Sequence, residues 1–284
     1  MRLFSLFSKS NVLYFPGGAT YFKFQHYYKL YQKIFSKLGI DFRVIDKNVN
    51  SGLFALEAGY EQEARKLALK NFEIFKEEKI YEILTTSPED YKMFLQDYPR
   101  ILPDWNISVK NVWQIILEKL KENPNLIKNK VTDVISYQDS CYLGRYCEIY
   151  NEPREILKLI GYEIKELFNS KSKSICCGSC GGLPVSNPRL ANEIAKEKLL
   201  QVKRAGAKKV VVVSVKNYEL LKNNVVGTGI EVLEFSEVLA SALGIKIEDG
   251  QINPIDEEIE GDTSEEELEE IKEEGIEDSN KNDN

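Results

Sequence analysis

Three cysteines lie within a span of five residues in the glycine-rich stretch SICCGSCGGLP, positions 174–184. They are Cys176, Cys177 and Cys180, and Cys141 and Cys147 precede them. Ligation by sulfur alone favours iron–sulfur centres or zinc over magnesium and calcium, because soft ligands prefer soft metals. The glycines let the backbone turn sharply and bring amide N–H groups to sulfur, which tunes a cluster. The pattern therefore indicates a thiolate-bound centre.

The residues alone leave several interpretations of these thiols open. Cys141, Cys176, Cys177 and Cys180 could ligate an iron–sulfur cluster, or could satisfy the tetrahedral preference of zinc. They could also be buried structural thiols left from a functional ancestor. Cys177 and Cys180 by themselves have the spacing of a dithiol redox pair, although the neighbouring Cys176 argues against that use. Cys147 is either a substitute ligand or a small buried side chain.

The composition of the chain predicts a reducing environment for these thiols. The chain has 284 residues, of which 43% are hydrophobic, and an odd number of cysteines, five. It has no run of about eighteen apolar residues and no start typical of a secretory signal, so we expect no transmembrane helix and a cytoplasmic location. A disulfide framework is not expected. The single histidine, His26, argues against a histidine-based metal site or a Ser-His-Asp triad.

Charge separates a basic body from an acidic C-terminal segment. Residues 248–284 hold seventeen acidic residues against two lysines, a net charge of −15, which leaves +8 for the rest because the whole chain carries −7. Dense like charge with few apolar residues predicts a disordered tail, either solubilising or able to contact a basic partner. The lysines of the body are scattered and form no basic run, so we expect no nucleic-acid partner.

An internal repeat predicts the elements that position the cysteines. The segment KIYEILTTSPEDYKMFL at 79–95 resembles AKKVVVVSVKNYELL at 207–221, and the alignment pairs Ile83 with Val210 and Ser87 with Ser214. Alternation of strands and helices in each half favours a parallel sheet covered by helices, and VVVV at 210–213 fits a strand buried on both faces. We therefore predict an α/β fold of two related halves, each a mostly parallel sheet flanked by helices. The predicted bounds are 11–125 and 126–247, followed by the tail 248–284.

The carboxyl ends of parallel strands place their loops at one edge of a sheet, where ligands bind. Cys141, the paired cysteines and Ser214 each follow a predicted strand, so we expect them to share one ligand. Arg145 lies beside the first cysteine in CYLGRY, where its cation would stabilise thiolates. The alternative for Arg145 is a salt bridge with Glu152 or Glu155.

The segment YQDSCYLGRYCEIYNEPREILKLIG followed by ICCGSCGG resembles the cysteine-rich CCG domain. That domain occurs in the B-type subunit of heterodisulfide reductase and in the iron–sulfur subunits of glycerol-3-phosphate, lactate and glycolate oxidoreductases. It usually occurs twice, and each complete motif can hold a [4Fe–4S] cluster. The resemblance covers about residues 11–240 and implies a redox partner subunit, either ferredoxin-like or a flavoprotein. The resemblance implies that Cys141, Cys176 and Cys177 bind the cofactor, and that Cys180 and Cys147, which lie outside the usual set, substitute for the missing ligands. Arg145, Gly178 and Ser214 lie beside them.

The sequence departs from the family pattern in both halves. In the second half, Ser214 and Asn217 replace the last two cysteines of the motif. In the first half, Gly18, Asn50-Ser51-Gly52 and Ser87-Pro88-Glu89-Asp90 stand where cysteines would be. We therefore expect a cluster in the second half, with the first half kept as a fold partner and interaction surface.

These observations predict an iron–sulfur electron-transfer subunit of an oxidoreductase, similar to the B-type subunit of heterodisulfide reductase. The expected cofactor is a [4Fe–4S] cluster, with zinc as the alternative. A different function also stays open, that of a cluster-free or zinc-binding scaffold that keeps the partner interface of the family.

Overall fold

Two parallel β-sheets organise the chain, as the sequence predicts. The computed structural model describes residues 10–45 and 50–246, so the predicted tail 248–284 lies outside the described residues. The first sheet has the strand order β1–β2–β3, and the second has the order β5–β4–β6–β7. Every strand pair in both sheets is parallel. The strands are β1 (Val12–Phe15), β2 (Glu82–Thr85), β3 (Ser108–Lys110), β4 (Asp133–Tyr137), β5 (Tyr162–Ile164), β6 (Lys209–Val212) and β7 (Glu231–Glu234).

Helices connect these strands and cover the sheets, and three π-helical turns interrupt the connections. No helix in the described part of the chain has both the length and the apolar character needed to cross a bilayer. The π-helical turns are Ala19–Lys23, Met93–Asp97 and Tyr142–Tyr146, and short 3₁₀ turns are Pro124–Leu126 and Lys171–Lys173. The α-helices are α1 (Gln25–Leu38), α2 (Leu53–Glu57), α3 (Glu61–Glu77), α4 (Pro88–Lys92), α5 (Tyr98–Ile101), α6 (Val112–Glu122), α7 (Asn151–Leu159), α8 (Leu183–Ser186), α9 (Pro188–Arg204), α10 (Val215–Asn223) and α11 (Phe235–Ala242).

The two halves share a core of strands and helices, to which the second half adds β5 at the edge of its sheet, and this confirms the repeat seen in the sequence. The alignment that pairs Ile83 with Val210 also pairs the first and last residues of β2 with those of β6. It pairs the first and last residues of α3 with those of α9 in the same way. Gly18 and Cys141 each stand directly before a π-helical turn. Positions of the first half can therefore be matched to positions of the thiol-bearing half.

The loops that precede α3 and α9 are also alike. Gly52 and Gly178 both have positive φ, and both pack against the backbone of an alanine in the following helix. These alanines are Ala64 in α3 and Ala191 in α9. The chain therefore approaches the two helices closely at equivalent places in the two halves.

The helices that hold the candidate site begin at side-chain caps. Asn187 accepts a hydrogen bond from the amide of Leu190 over 3.0 Å and precedes Pro188, so α9 starts with a preorganised first turn. Ser87 accepts from the amide of Asp90 over 3.3 Å at the start of α4. Polar caps of this kind satisfy amide groups that the helix itself leaves without a partner. These starts fix the loops that follow β2 and lead into α9.

One apolar core spans both halves of the chain. Val210, Val211 and Val212 of β6 are buried, as a central parallel strand requires, and so is Val213 directly after the strand. Helix α1 of the first half packs against α11 of the second. Tyr31 donates a hydrogen bond of 2.9 Å to Glu234 there, and Tyr27 donates one of 2.9 Å to Glu237. The bounds 11–125 and 126–247 stay a prediction about the repeat, because both halves contribute to this shared core.

Candidate functional site

Four of the five cysteines lie together at the carboxyl edge of the second sheet. Cys141 follows β4, whereas Cys176, Cys177 and Cys180 lie on the loop between β5 and α8. Cys141 interacts with Cys176 and with Cys180, and Cys177 also interacts with Cys176. Cys177 is buried and the other three are partly buried. We call these four side chains the thiol cluster; their role as ligands stays a prediction.

The thiol cluster favours one negative charge, placed on Cys176. Hydrogen bonds from Cys141 and Cys177 hold the pKa of Cys176 well below its ordinary value, helped by the amide of Gly178 and the cation of Arg145. The same bonds raise the pKa values of Cys141 and Cys177, because both thiols act as donors. The site is therefore built to hold a thiolate.

Two glycines allow the backbone to approach closely around the thiol cluster. A Cβ at Gly178, whose φ is +92°, would lie 2.7 Å from the carbonyl oxygen of Ala191 in α9. Its amide donates to Sγ of Cys176 over 3.3 Å. In the π-helical turn after Cys141, a Cβ at Gly144 would lie 2.7 Å from the ring of Tyr150. Both loops therefore need glycine to reach the shape that brings the thiols together.

Arg145 fixes the relation between the two cysteine-bearing loops. Its Nη1 donates a hydrogen bond to the carbonyl oxygen of Ser174, two residues before Cys176. Among the described residues, neither Glu152 nor Glu155 forms the alternative salt bridge with Arg145. Their carboxylates instead accept from Asn111 and from Lys121 respectively. Arg145 thus acts on the thiol loop both by charge and by a direct contact.

Ser179 links the thiol cluster to the residues that replace the last two motif cysteines. Its hydroxyl donates to Oδ1 of Asn217 over 2.7 Å and lies 3.3 Å from Sγ of Cys177 and 3.4 Å from Sγ of Cys180. Ser214 donates to Oε1 of Glu89 over 2.7 Å. Serine and asparagine therefore form a hydrogen-bonded network where the family has cysteines.

Glu89 is a site residue that sequence reasoning missed. It belongs to the first half, is 4% exposed, and its Oε1 lies 4.0 Å from Sγ of Cys180 as well as receiving the bond from Ser214. Its position opposite Ser214 arises only when the two halves pack together. A possible signal was the internal repeat, which pairs the segment 87–90 with the segment 214–217.

A buried ion-pair network supports the loop from behind. Arg154 binds both oxygens of Asp139, over 2.6 and 2.8 Å, and its Nε donates to Glu166 over 2.6 Å. The amide of Lys171 also donates to Asp139 over 2.7 Å. The guanidinium lies 4.8 Å from the ring centre of Tyr137. This network ties the residue two before Cys141 to the chain that leads into the thiol loop.

Lys198 is a second residue that the sequence reasoning missed. Its side chain is 1% exposed on the inner face of α9, and it interacts electrostatically with Cys177 and Cys176. A lysine within an amphipathic helix ordinarily faces solvent, so the sequence offered no sign of its burial. Its cation lies on the side of the thiol cluster that faces α9.

Cys147 has surroundings that differ from those of the thiol cluster. It stands at the end of the π-helical turn Tyr142–Tyr146 and packs against the shared core. Burial raises its pKa to about 11, with Lys92 lowering it and Asp97 raising it. The structure does not bring Cys147 into the thiol cluster, and a ligand role for it stays an untested prediction.

An open cleft leads from the surface to the thiol cluster. It has a volume of about 400 Å³ and reaches Cys180 and Ser179. Phe54 of the first half and Val185 of the second stand at its mouth, 60% and 79% exposed. Lys216 also lines it. A small molecule or a protruding side chain of a partner would reach Cys180 by this route.

The corresponding region of the first half is polar. Ser51 donates to Oδ1 of Asp90 over 2.5 Å, and Ser87 caps the same residue. A cavity of about 260 Å³ adjoins these side chains. A Cβ at Gly17 would lie 2.4 Å from Oδ2 of Asp90, so the loop packs tightly on the carboxylate. The hydroxyl of Ser51 thus stands where the second half has Cys177, and Ser87 and Asp90 stand where it has Ser214 and Asn217.

The pattern of two repeats with a cysteine-rich second half decides the family. The CCG family, described as a cysteine-rich domain, matches residues 12–93 and 135–216, together more than half of the chain. This protein is a member of the CCG cysteine-rich domain family. The first matched stretch includes β1 and β2, and the second runs from within β4 to the start of α10.

Relatives of this CCG protein include proteins named as oxidoreductases. A probable iron–sulfur-binding oxidoreductase of Bacillus subtilis is 32% identical over 166 residues, which are 58% of this chain and 23% of the relative. A subunit of the dihydromethanophenazine:CoB–CoM heterodisulfide reductase of Methanosarcina acetivorans is 25% identical over 197 residues, 67% of this chain and 48% of the relative. This chain therefore spans less than half the length of these two relatives.

A likeness among solved structures adds nothing to this assignment. An aspartate racemase homologue from Pyrococcus horikoshii aligns with 82% of this chain and 97% of its own. Its sequence identity is 13% and its TM-score is 0.36. A likeness this slight carries no argument about activity.

The donor set of this CCG protein fits a thiolate-bound centre in its chemistry. Four thiols converge, and the buried Oγ of Ser140 and Oε1 of Gln138, which adjoin Cys141 and Asp139 in the chain, have no hydrogen-bond partner among the described residues. Across residues 10–45 and 50–246, no three His, Cys, Asp or Glu side chains stand ready to hold one metal ion. Binding would therefore exchange the hydrogen bonds between thiols for bonds to metal.

Proposed function

We propose that this CCG protein is an iron–sulfur electron-transfer component of an oxidoreductase, and that the thiol cluster ligates its cofactor. The single observation that supports this proposal is the convergence of Cys141 with Cys176, Cys177 and Cys180 from separate loops. A bound iron–sulfur cluster would accept one electron and release it again. The proposed type is [4Fe–4S], by the resemblance to the B-type subunit of heterodisulfide reductase.

The residues of the chain have distinct roles in this proposal. Cys176 is the ligand whose ionised form the site favours, because its contacts with Cys141 and Cys177 lower its pKa. The amide of Gly178 and the cation of Arg145 offset the negative charge that accumulates on sulfur. Ser179 keeps Cys177 and Cys180 oriented through its hydrogen bond to the side chain at position 217. Buried sulfur at Cys177 excludes water from one side of the centre.

The cleft at Cys180 supplies the route for electron exchange in the proposed function. Its apolar mouth, formed by Phe54 and Val185, suits contact with a redox partner, either a ferredoxin-like subunit or a flavoprotein. An electron acceptor small enough to enter the cleft would approach Cys180 directly. The cytoplasm is the location we propose for this exchange.

A zinc-binding or cluster-free scaffold is the second candidate function. Ser214 and Asn217 replace two thiols of the family motif, which leaves four thiols in one group, the number that structural zinc takes. Their hydrogen bonds with Glu89 and Ser179 also satisfy this polar network without a metal. This candidate predicts stoichiometric zinc, or no metal, and no visible chromophore.

Anaerobic reconstitution distinguishes these functions. The full chain is incubated with iron and sulfide, desalted, and assayed for iron, acid-labile sulfide, zinc and visible absorption. The proposal predicts iron and sulfide in equal amounts and a broad absorption that dithionite bleaches. Cys176→Ser should abolish it, whereas the matched control Cys147→Ser should keep it. A chromophore that survives Cys176→Ser would refute the ligand assignment, and zinc alone would favour the scaffold.

A further inference from the structure

Lys198 is a buried cation whose presence the fold alone does not explain. It is 1% exposed among the apolar residues on the inner face of α9. Its one hydrogen bond within the described part of the chain goes to Oε1 of Gln201, a neutral amide, over 3.2 Å. Removing an ammonium group from water costs several kcal/mol unless an anion compensates for it. Burial accordingly lowers the pKa of Lys198, and nearby negative groups oppose this lowering.

The carboxylate that interacts electrostatically with this lysine already has partners of its own. Asp139 is bound through both oxygens by Arg154 and also by the amide of Lys171. Lys198 interacts with Cys177, with Asp139 and with Cys176, in that order, and Arg145 opposes its charge. Since Asp139 is compensated, the sulfur atoms are the groups whose negative charge this lysine is placed to balance.

The internal repeat shows where the side chain at this position points. Asn71 in α3 corresponds to Lys198 in α9, because each is the eleventh residue of its helix and the two helices align end to end. The amide of Asn71 donates a hydrogen bond of 2.8 Å to the carbonyl oxygen of Asn50. Asn50 corresponds to Cys176, because Gly52 and Gly178 pack alike two residues later. Position 198 therefore faces the loop that carries the paired cysteines.

We propose that Lys198 is a positioning residue that sets the reduction potential of the centre held by Cys176 and Cys177. This inference rests on the proposed function. When the redox partner gives one electron, the centre becomes more negative by one charge and no bond breaks. A buried ammonium close to sulfur stabilises that added charge more than water at the surface would, because the surroundings are apolar.

Potentiometric titration of the reconstituted full chain with dithionite tests this inference. Lys198→Met removes the charge and keeps the length of the side chain. It should lower the equilibrium constant for reduction about tenfold, which is about 59 mV for one electron. Lys198→Arg should stay within roughly threefold of the wild type, because the charge is kept. Lys196→Met, an exposed lysine on the same helix, is the control and should leave the potential unchanged.

The outcomes separate this inference from the proposed function. Equal potentials for Lys198→Met and Lys196→Met would overturn the role of Lys198 while leaving the cluster in place. The same loss in Lys198→Arg as in Lys198→Met would also overturn it, because packing would then be the cause. If Lys198→Met does not assemble, Lys198→Gln is titrated and an unshifted potential refutes the inference. A wild type without iron would refute the proposed function itself.

Discussion

Ser214 donates a hydrogen bond of 2.7 Å to Glu89, and this contact joins residues 125 positions apart beside the thiol cluster. Ser214 stands where the family motif has a cysteine, and Glu89 belongs to the half that has lost its cysteines. A residue at a motif position of one half thus has its hydrogen-bond partner in the other half. The first half therefore places the carboxylate of Glu89 beside the thiol cluster of the second half.

The first prediction concerns the charge of Glu89. Glu89→Gln keeps an acceptor for Ser214 but removes a negative charge 4.0 Å from Sγ of Cys180. The reconstituted centre should become easier to reduce, by roughly threefold to tenfold in the equilibrium constant. Dithionite titration measures this shift. Its direction is opposite to that for Lys198→Met, and a shift in the same direction would contradict the placement of both charges.

The second prediction concerns the backbone of the thiol loop. Gly178→Ala places a Cβ 2.7 Å from the carbonyl of Ala191 at a φ of +92°, so the loop must move. We expect a loss of about 2–3 kcal/mol in unfolding free energy and a lower iron content. Gly181→Ala is the matched control, because its φ is +66° and no atom lies within 4 Å of its added Cβ. Urea unfolding of Gly181→Ala should show a loss of about 1 kcal/mol in unfolding free energy. Equal losses in the two variants would disprove the close packing at Gly178.

The third prediction concerns the ion-pair network behind the loop. Arg154→Ala leaves Asp139 buried without its bidentate partner, which should cost about 3–5 kcal/mol of unfolding free energy. Arg189→Ala breaks an exposed pair with Glu193 and should cost about 0–1 kcal/mol. Chemical denaturation of both variants checks the difference. A small loss for Arg154→Ala would mean that the network is dispensable.

The fourth prediction concerns the pH dependence of stability. Burial raises the pKa of Glu234 from 4.5 to about 8, although Ser236 and Tyr31 donate hydrogen bonds to it. Between about pH 4.5 and pH 8 the folded state therefore keeps Glu234 protonated, whereas the unfolded state has released this proton. This contribution to stability is fully present below about pH 4.5 and is lost as the pH rises toward 8.

Glu234→Gln should remove this pH dependence while keeping an acceptor for the same donors. The wild type should lose roughly a few kcal/mol relative to Glu234→Gln between pH 5 and pH 8. Urea unfolding of both proteins across this range gives the comparison. A constant difference between the two across the range would show that Glu234 does not change its protonation on unfolding.

The sequence predicted the fold well because the relevant signals are local. The valine run at 210–213 indicated a buried parallel strand, and the alignment of the two repeats reproduced the ends of α3 and α9. The order of strands and cysteines also placed the loops after β4 and β5 at one edge of the sheet. These inferences depend on periodicity and chain order, which the sequence contains directly.

The residues that the sequence did not reveal depend on packing between distant segments. Glu89 reaches the thiol cluster only because the first half packs on the second. Lys198 is 1% exposed although it belongs to an amphipathic helix. Arg154 looked like one charge among many on an amphipathic helix, yet it binds Asp139 across the loop. Spacing along the chain cannot show such contacts.

The most direct test of the central claim is iron K-edge X-ray absorption on the anaerobically reconstituted full chain. The account predicts iron surrounded by sulfur with a second iron nearby, and loss of bound iron in Cys176→Ser but not in Cys147→Ser. Iron coordinated by oxygen and nitrogen, or sulfur-bound iron that persists without Cys176, would contradict it.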